Sequence, residues 1–171
     1  MTENPNQPEN ETEETEENAE TAETEAAEPG FEVPDASDGW RLAERAAWHL
    51  MEKQGEDVKI LDLRGISDVC DFVVLASGTS DVHVKALARH LRDALLDVKE
   101  KPRGIEGMDD GRWALLDFFD VVVHVFKTDV REYFQLERLW GDARTMDIAP
   151  EWFGADEVKR RHAGLFPESG S

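Results

Sequence analysis

The stretch GIEGMDDGRWALLDFFDVVVHVFKTDVREYFQLERLWGDA, residues 104–143, decides the fold predicted for this chain. Two apolar runs, Trp113–Leu116 and Val121–Phe126, are separated by a tight turn, which is the pattern of a β-hairpin. A helix is predicted directly after the hairpin, with Thr128 or Asp129 as its cap and Gly141 and Asp142 at its end. Because the strands of a hairpin run antiparallel, the sheet that contains them cannot be wholly parallel.

Working outward from the hairpin, apolar spacing and capping residues predict the remaining elements. They are, in chain order, a helix from Ser37 or Asp38 to Met51, a strand over Val58–Leu63, a strand over Asp71–Ser77, a helix capped by Ser80, and a short strand near Arg103–Glu106. The Asp71–Ser77 strand is almost continuously apolar, as is typical of a strand covered on both faces.

The element order predicts an α/β (α+β) domain, with a mixed β-sheet of about five strands and helices packed on it. In the helix after the hairpin, the residues predicted to face inward are Val130, Tyr133, Phe134 and Leu136. We divide the chain into a disordered acidic tail over residues 1–36, a folded domain over residues 37–143 and a C-terminal extension over residues 144–171. The segment Ala149–Phe153 is predicted to dock on the domain.

Acidic residues are concentrated at the N-terminus. The first 36 residues carry 12 Glu and 1 Asp with no Lys or Arg, a charge of −13 out of −20, which leaves −7 for residues 37–171. A segment so poor in apolar side chains cannot offset its chain entropy by burial. We interpret it as a solubilising tail, and the alternative is an arm that binds a basic partner.

The charge of the folded part argues against binding to nucleic acid. Affinity for nucleic acid comes largely from neutralising phosphates, and this domain has a net negative charge. The small basic group Lys99, Lys101 and Arg103 has no interleaved aromatic residues. A basic protein surface is therefore the expected partner, with no sequence-specific contact to nucleic acid.

The sequence places the protein in the cytoplasm. Cys70 is the only cysteine, so no disulfide within the chain can form. No apolar run approaches the roughly 20 residues that cross a bilayer, so no membrane contact is expected. The N-terminus has neither a secretory signal nor a transit peptide pattern.

An enzymatic alternative rests on two short motifs. Gly78–Ser80 at a helix start could hold a phosphate, and Asp117 with Asp120 could hold Mg²⁺, as in a nucleotidyltransferase. Such sites usually place two Asp on one strand face at i and i+2, whereas these two are separated by a turn. Asp is also a common turn residue. We therefore predict no catalytic residues and no enzymatic activity.

Histidine spacing does not predict a metal site. His83 and His90 lie about two helical turns apart, and no HxxxH or CxxC pairing is present. His124 lies in an apolar strand, where a structural histidine is the simpler interpretation. We predict no metal ligand and no cofactor.

Trp113 begins the hairpin directly after a polar loop, so partial exposure is predicted. Tryptophan at a strand start often fills the edge of a core, but it is also enriched at binding hot spots. Acidic residues lie close to it along the chain, among them Glu106, Asp117 and Asp120. The sequence thus predicts a surface that receives a basic protein.

These residues resemble a known family. The matching pieces, in order, are Cys70–Val74, Ser77–Ser80, His83–Val84, Glu106–Gly107, Trp113–Asp117, Asp120–Phe126, Arg131–Tyr133 and Leu136–Trp140. Their order and spacing over roughly residues 40–143 resemble the ribosomal silencing factor family, also called Iojap-like. The pieces DVVVHVF and LERLW are the most specific.

The resemblance implies a translational repressor that is not an enzyme. Members of the family bind protein fourteen of the large ribosomal subunit and block joining of the small subunit, and organellar relatives act in assembly of the large subunit. The family fold is related to nucleotidyltransferases without their catalytic pattern, and homodimers are common. The resemblance maps partner binding onto Trp113, Glu106, Leu115 and Asp117, and the acidic residues close along the chain add Asp120 to the predicted binding residues. At Phe119 this chain departs from the glycine usual in relatives, so a turn with positive φ would be strained there.

Overall fold

The computed structural model describes residues 37–162 of the 171-residue chain. The α-helices are α1 (Asp38–Glu52), α2 (Asp81–Asp97), α3 (Thr128–Phe134) and α4 (Asp156–Arg161). The strands are β1 (Glu56–Asp62), β2 (Phe72–Gly78), β3 (Gly104–Glu106), β4 (Trp113–Asp117), β5 (Val121–Lys127) and β6 (Arg144–Asp147). Two 3₁₀ helices cover Leu136–Trp140 and Pro150–Gly154.

The strands form a six-stranded mixed sheet in the order β3-β4-β5-β2-β1-β6. The β2–β5 pair is parallel and the other pairs are antiparallel. The predicted mixed sheet with packed helices is confirmed, and it has one strand more than the five expected. Every residue of central strand β2 is buried, as its apolar run predicted.

Two hydrophobic clusters cover the two faces of the sheet. The larger cluster contains the buried residues of α1 and α2, including Trp40, Leu50 and Leu91. The smaller cluster lies on the opposite face and includes Leu61, Val73 and Phe126, with Trp113 packed against it. Helices α1 and α2 therefore cover one face of the sheet, and shorter elements cover the other face.

The first two helices begin as predicted. The Ser37 side chain accepts a hydrogen bond of 3.2 Å from the Trp40 amide, and the Ser80 side chain accepts one of 3.1 Å from the His83 amide. Each serine thereby satisfies an amide that has no partner within the helix.

The prediction for the helix after the hairpin is wrong in two respects. Neither Thr128 nor Asp129 caps it, because both lie inside α3, and the cap residue is Lys127 without a side-chain bond. The helix ends after seven residues, where Gln135 adopts a left-handed conformation with φ of 46°.

The inward face of α3 also differs from the prediction. Tyr133 is 82% exposed and Phe134 is 52% exposed, whereas Val130 and Leu136 are buried as predicted. Arg131 is buried, and its guanidinium donates to the Asp57 carbonyl at 2.7 Å. The arginine also pairs with Glu137 at 2.8 Å. Arg131 takes an inward position on this short helix, and Tyr133, two residues further on, therefore points to the opposite side.

The sheet and the core continue past residue 143. Strand β6 pairs with β1, and Trp152, Phe153 and Val158 belong to the larger hydrophobic cluster. The predicted docking of Ala149–Phe153 therefore corresponds to a 3₁₀ helix whose Trp152 and Phe153 side chains are buried. The predicted tail over residues 1–36 and the chain after residue 162 lie outside the described residues. Within the described part, no helix is both long and apolar enough to span a bilayer.

Candidate functional site

The β-hairpin and β3 form the edge of the sheet that carries the predicted binding residues. Ala114 and Leu116 are fully buried toward the helices, whereas Trp113, Leu115 and Asp117 alternate with them and are only partly buried. Strand register pairs Glu106 with Leu115. Since paired residues share a face, the structure brings Glu106, Trp113, Leu115 and Asp117 together on the face away from α1 and α2. We call these four residues the docking face.

Trp113 is held in a fixed orientation. Its Nε1 donates a hydrogen bond of 3.0 Å to Nδ1 of His124 on the neighbouring strand. Its ring centroid lies 4.8 Å from that of Phe126 and 5.1 Å from that of Phe134. The indole therefore lies at the rim of the smaller cluster and not deep inside the protein.

Burial keeps His124 neutral. Desolvation lowers the pKa of the imidazole from 6.5 to about 4. Its ring also stacks on Phe126 at a centroid distance of 5.8 Å. A neutral ring leaves Nδ1 able to accept from the Trp113 indole, so His124 orients the central residue of the docking face. The interpretation of His124 as a structural histidine agrees with this geometry.

Two aromatic residues that the sequence analysis placed in the core extend the exposed surface. The Phe134 ring lies beside Trp113, and the Tyr133 ring meets Phe134 edge-on at 5.0 Å. We call Trp113, Tyr133 and Phe134 the aromatic patch. Contiguous exposed apolar surface of this kind marks interaction sites. The sequence analysis did not predict the aromatic patch, because helical spacing alone does not show that Arg131 is buried.

Asp117, one of the predicted binding residues, is paired with an arginine of its own domain. It accepts hydrogen bonds from Nε of Arg103 at 3.0 Å and from the Phe119 amide at 2.9 Å. The Arg103 guanidinium also lies 5.0 Å from the centroid of the Phe119 ring. The negative charge of Asp117 is therefore largely compensated, and its side chain organises the hairpin turn. Phe119 has a φ of 72°, so the strain expected at this position is present.

Asp120 lies away from the docking face. Its Cβ is 3.5 Å from where a Cβ on Gly39 would lie, at the start of α1. Its carbonyl accepts from the amides of Asp71 and Phe72. Asp117 and Asp120 thus serve different local structures, and the arrangement does not support the Mg²⁺ site of the enzymatic alternative.

The Gly78–Ser80 turn is used by its own helix. The Thr79 amide donates to Nδ1 of His83 at 3.0 Å, and the Ser80 side chain caps α2. A Cβ on Gly78 would come within 2.8 Å of Val84, so close packing explains this glycine. The Thr79 amide, which a bound phosphate would need as a donor, is therefore already hydrogen-bonded.

Gly107 shapes the docking face. Its φ is 71°, and a Cβ on it would lie 2.0 Å from the Trp113 carbonyl oxygen. Only glycine fits between β3 and β4 at this point. Glu106 therefore supplies an exposed carboxylate, and Gly107 allows the backbone to approach Trp113 closely enough to hold it in place.

Other reactive groups lie elsewhere. Cys70 is buried, and desolvation raises the pKa of its thiol to about 11, so it is not an activated nucleophile.

Among residues 37–162, one group of three side chains could hold a metal ion, and it consists of His49, Glu52 and His90. It lies on α1 and α2, across the sheet from the docking face.

Sequence comparison identifies relatives of this chain. Residues 34–164 match the family model described as "Ribosomal silencing factor during starvation". A Ribosomal silencing factor of Bacillus subtilis is 44% identical over 97 residues, which is 57% of this chain and 82% of the relative. The mouse "Mitochondrial assembly of ribosomal large subunit protein 1" is 29% identical over 64% of this chain and 51% of its own length.

Solved structures share the fold. A crystal structure of a Chromobacterium violaceum protein matches with a TM-score of 0.60 at 33% identity, covering 61% of this chain and 88% of that one. A Bacillus halodurans protein matches with a TM-score of 0.56 at 36% identity, covering 63% and 97%.

Proposed function

Because the chain belongs to the ribosomal silencing factor family, we propose that it represses translation by binding the large ribosomal subunit and excluding the small one. The contact on the large subunit is its protein fourteen, which the family resemblance implies. This action needs no chemical step and no cofactor, since a bound domain blocks subunit joining by its volume. In a bacterial cell, it would act in the cytoplasm.

The observation that carries this proposal is the surface around Trp113. The indole is oriented by His124 and continues into the exposed rings of Tyr133 and Phe134. Partly exposed Trp and Tyr side chains are the residue types that dominate binding energy in protein interfaces. A standard interface covers about 800 Å² on each partner, enough to include the aromatic patch and the docking face.

Electrostatic attraction adds a weaker contribution to the proposed binding. Glu106 is exposed on β3, and Asp109 and Asp110 are exposed in the loop before β4. Carboxylates at the rim of an interface speed association with a basic partner more than they tighten it. We assign Glu106 this role, whereas Asp117 supports the turn. We leave Asp120 out of the proposed interface because of its position beside α1.

Sedimentation of purified ribosomal subunits with the full-length protein tests the proposal. We expect the wild-type protein to sediment with the large subunit and to reduce the fraction of joined particles. Tyr133→Ala should weaken binding at least tenfold without loss of fold, because this side chain is 82% exposed. Trp113→Phe tests the centre of the patch while keeping an aromatic ring.

Glu106→Lys, with Glu151→Lys as its matched control, tests the charge. Both glutamates are exposed, but Glu151 lies on the 3₁₀ helix whose Trp152 and Phe153 belong to the larger hydrophobic cluster, away from the docking face. We expect only Glu106→Lys to slow association, and we expect the difference to shrink at high salt. Full binding by Tyr133→Ala and Trp113→Phe together would contradict the proposed interface.

A second candidate is a role in assembly of the large subunit, which the name of the mouse relative favours. The two roles would use the same surface. An assay that adds the protein only to finished subunits separates them, because an assembly factor need not prevent those subunits from joining. Association of two copies through the aromatic patch is a further proposal, and Tyr133→Ala would then also yield monomers.

A further inference from the structure

Helices α1 and α2 bring three metal-binding side chains together on the side of the sheet away from the docking face. His49 and Glu52 lie about one turn apart on α1, and His90 lies on α2. Nδ1 of His49 is 2.9 Å from Oε2 of Glu52, and Nε2 of His90 is 3.3 Å from the same oxygen. All three ligand atoms lie within 4.8 Å of one another.

We propose that His49, Glu52 and His90 bind a divalent transition metal ion of the zinc class. Two imidazoles and one carboxylate are a ligand set that Zn²⁺ accepts, and Co²⁺ and Ni²⁺ accept similar sets. Bonds of about 2.0–2.2 Å place neighbouring ligands of a tetrahedral ion about 3.3 Å apart. The observed separations need only small side-chain rotations to reach that geometry.

The surroundings suit an ion that retains water. The side chains of His49, Glu52 and His90 are 17%, 32% and 28% exposed, so an ion can enter and at least one coordination position faces solvent. The two imidazole rings meet edge-on with centroids 5.4 Å apart. Mg²⁺ and Ca²⁺ prefer oxygen ligands and fit this set poorly.

The helices hold the ligands in place before any ion binds. Leu50 on α1 and Leu91 on α2, each next in sequence to one of the histidines, are fully buried in the larger cluster. The backbone at the site is therefore fixed by the core, and a bound ion would connect α1 to α2. The simpler alternative is a hydrogen-bonded contact in which Glu52 accepts from both rings, without affinity for metal.

Titration of the full-length, metal-free protein with Co²⁺ distinguishes the two. We expect visible absorption bands that saturate at one Co²⁺ per chain and disappear when Zn²⁺ displaces the cobalt. His90→Gln and Glu52→Gln should each weaken binding at least about tenfold. His83→Gln, on the same helix as His90 but outside the cluster, should bind like wild type. The acidic N-terminal tail is common to all these proteins and cannot cause a difference between them.

Thermal unfolding gives an independent measurement. Zn²⁺ should raise the Tm of the wild type by several degrees, because an ion that binds the folded state stabilises it. The Tm of His90→Gln should not respond to Zn²⁺. Absence of cobalt bands in the wild type, or equal binding by wild type and His90→Gln, would overturn the proposal. Neither result bears on ribosome binding, so the two proposals fail separately.

Discussion

The indole Nε1 of Trp113 donates a hydrogen bond of 3.0 Å to Nδ1 of His124, and this bond joins the exposed docking face to the interior of the sheet. His124 is buried, with only 6% of its surface exposed, whereas Trp113 lies at the edge. The histidine thus fixes a tryptophan that the partner would contact. Because burial disfavours the charged form of His124, we expect protonation of this ring to destabilise the fold.

We expect stability to fall as the pH drops below about 6.5. The folded pKa of His124 is about 4, below its ordinary value of 6.5, so the unfolded chain binds a proton first. The loss develops as the pH falls between these two values and stops below about 4. It amounts to about 2 kcal/mol at pH 5 relative to pH 7.

Urea unfolding at pH 7 and pH 5 measures this loss of stability from His124. His124→Gln lacks it, so its stability should decline less between the two pH values than that of the wild type. His83→Gln removes a less buried histidine and should decline as the wild type does. An identical pH response of wild type and His124→Gln would contradict the assignment.

The backbone strain at Phe119 can be measured with two substitutions. Phe119 has a φ of 72°, which alanine tolerates poorly and glycine adopts readily. Phe119→Gly should therefore be more stable than Phe119→Ala by about 1 kcal/mol in urea unfolding. Both variants lose the ring, so the comparison isolates the backbone. At the exposed Ile66, which is not among the described residues with positive φ, the order should be reversed.

Gly107→Ala should disrupt the edge of the sheet. A Cβ at this position would lie 2.0 Å from the Trp113 carbonyl oxygen, so β3 and β4 must separate. We expect a loss of about 2 kcal/mol or more, with altered tryptophan fluorescence. Gly104→Ala is the matched control, because a Cβ there has nothing within 4 Å. Equal stability of the two variants would show that the strands tolerate the added methyl group.

Glu44 anchors the C-terminal segment to α1. Its carboxylate is fully buried, accepts from Nε1 of Trp152 at 3.0 Å and lies 2.7 Å from Nε2 of His162. Glu44→Ala would leave both partners buried without the carboxylate and should cost about 3–5 kcal/mol. Chemical unfolding measures this cost.

The exposed Glu56 at the start of β1 provides the comparison. Glu56→Ala should change stability by no more than about 0.5 kcal/mol. Limited proteolysis adds a local measurement, since cleavage near Trp152 should increase in Glu44→Ala alone. Similar stability for the two variants would mean that the C-terminal segment is held by other contacts.

Local sequence patterns predicted most of the fold. Ser80, and Ser37 with Asp38 as its alternative, could be predicted as caps because a cap depends on amides only two or three residues away. The almost continuous apolar run in β2 predicted burial on both faces, because successive side chains of a strand point to opposite faces of the sheet. Partial exposure of Trp113 was predicted because this residue begins the hairpin directly after a polar loop.

Contacts between distant segments determined the rest. The sequence of α3 does not show that Arg131 is buried against Asp57 while Tyr133 and Phe134 stay exposed, because these contacts lie outside the helix. Strand β6 was missed because its four residues become a strand only by pairing with β1.

The sequence by itself determined helices α1 and α2, five of the six strands and the hairpin that carries Trp113. Only the tertiary structure decided which side chains meet across that framework. His49 and His90 share no local pattern, yet the packing of α1 on α2 brings His90 to the same Glu52 oxygen that His49 contacts from one turn away. Local structure depends on neighbouring residues in the chain, whereas a site depends on the free energy of burying whole elements against one another.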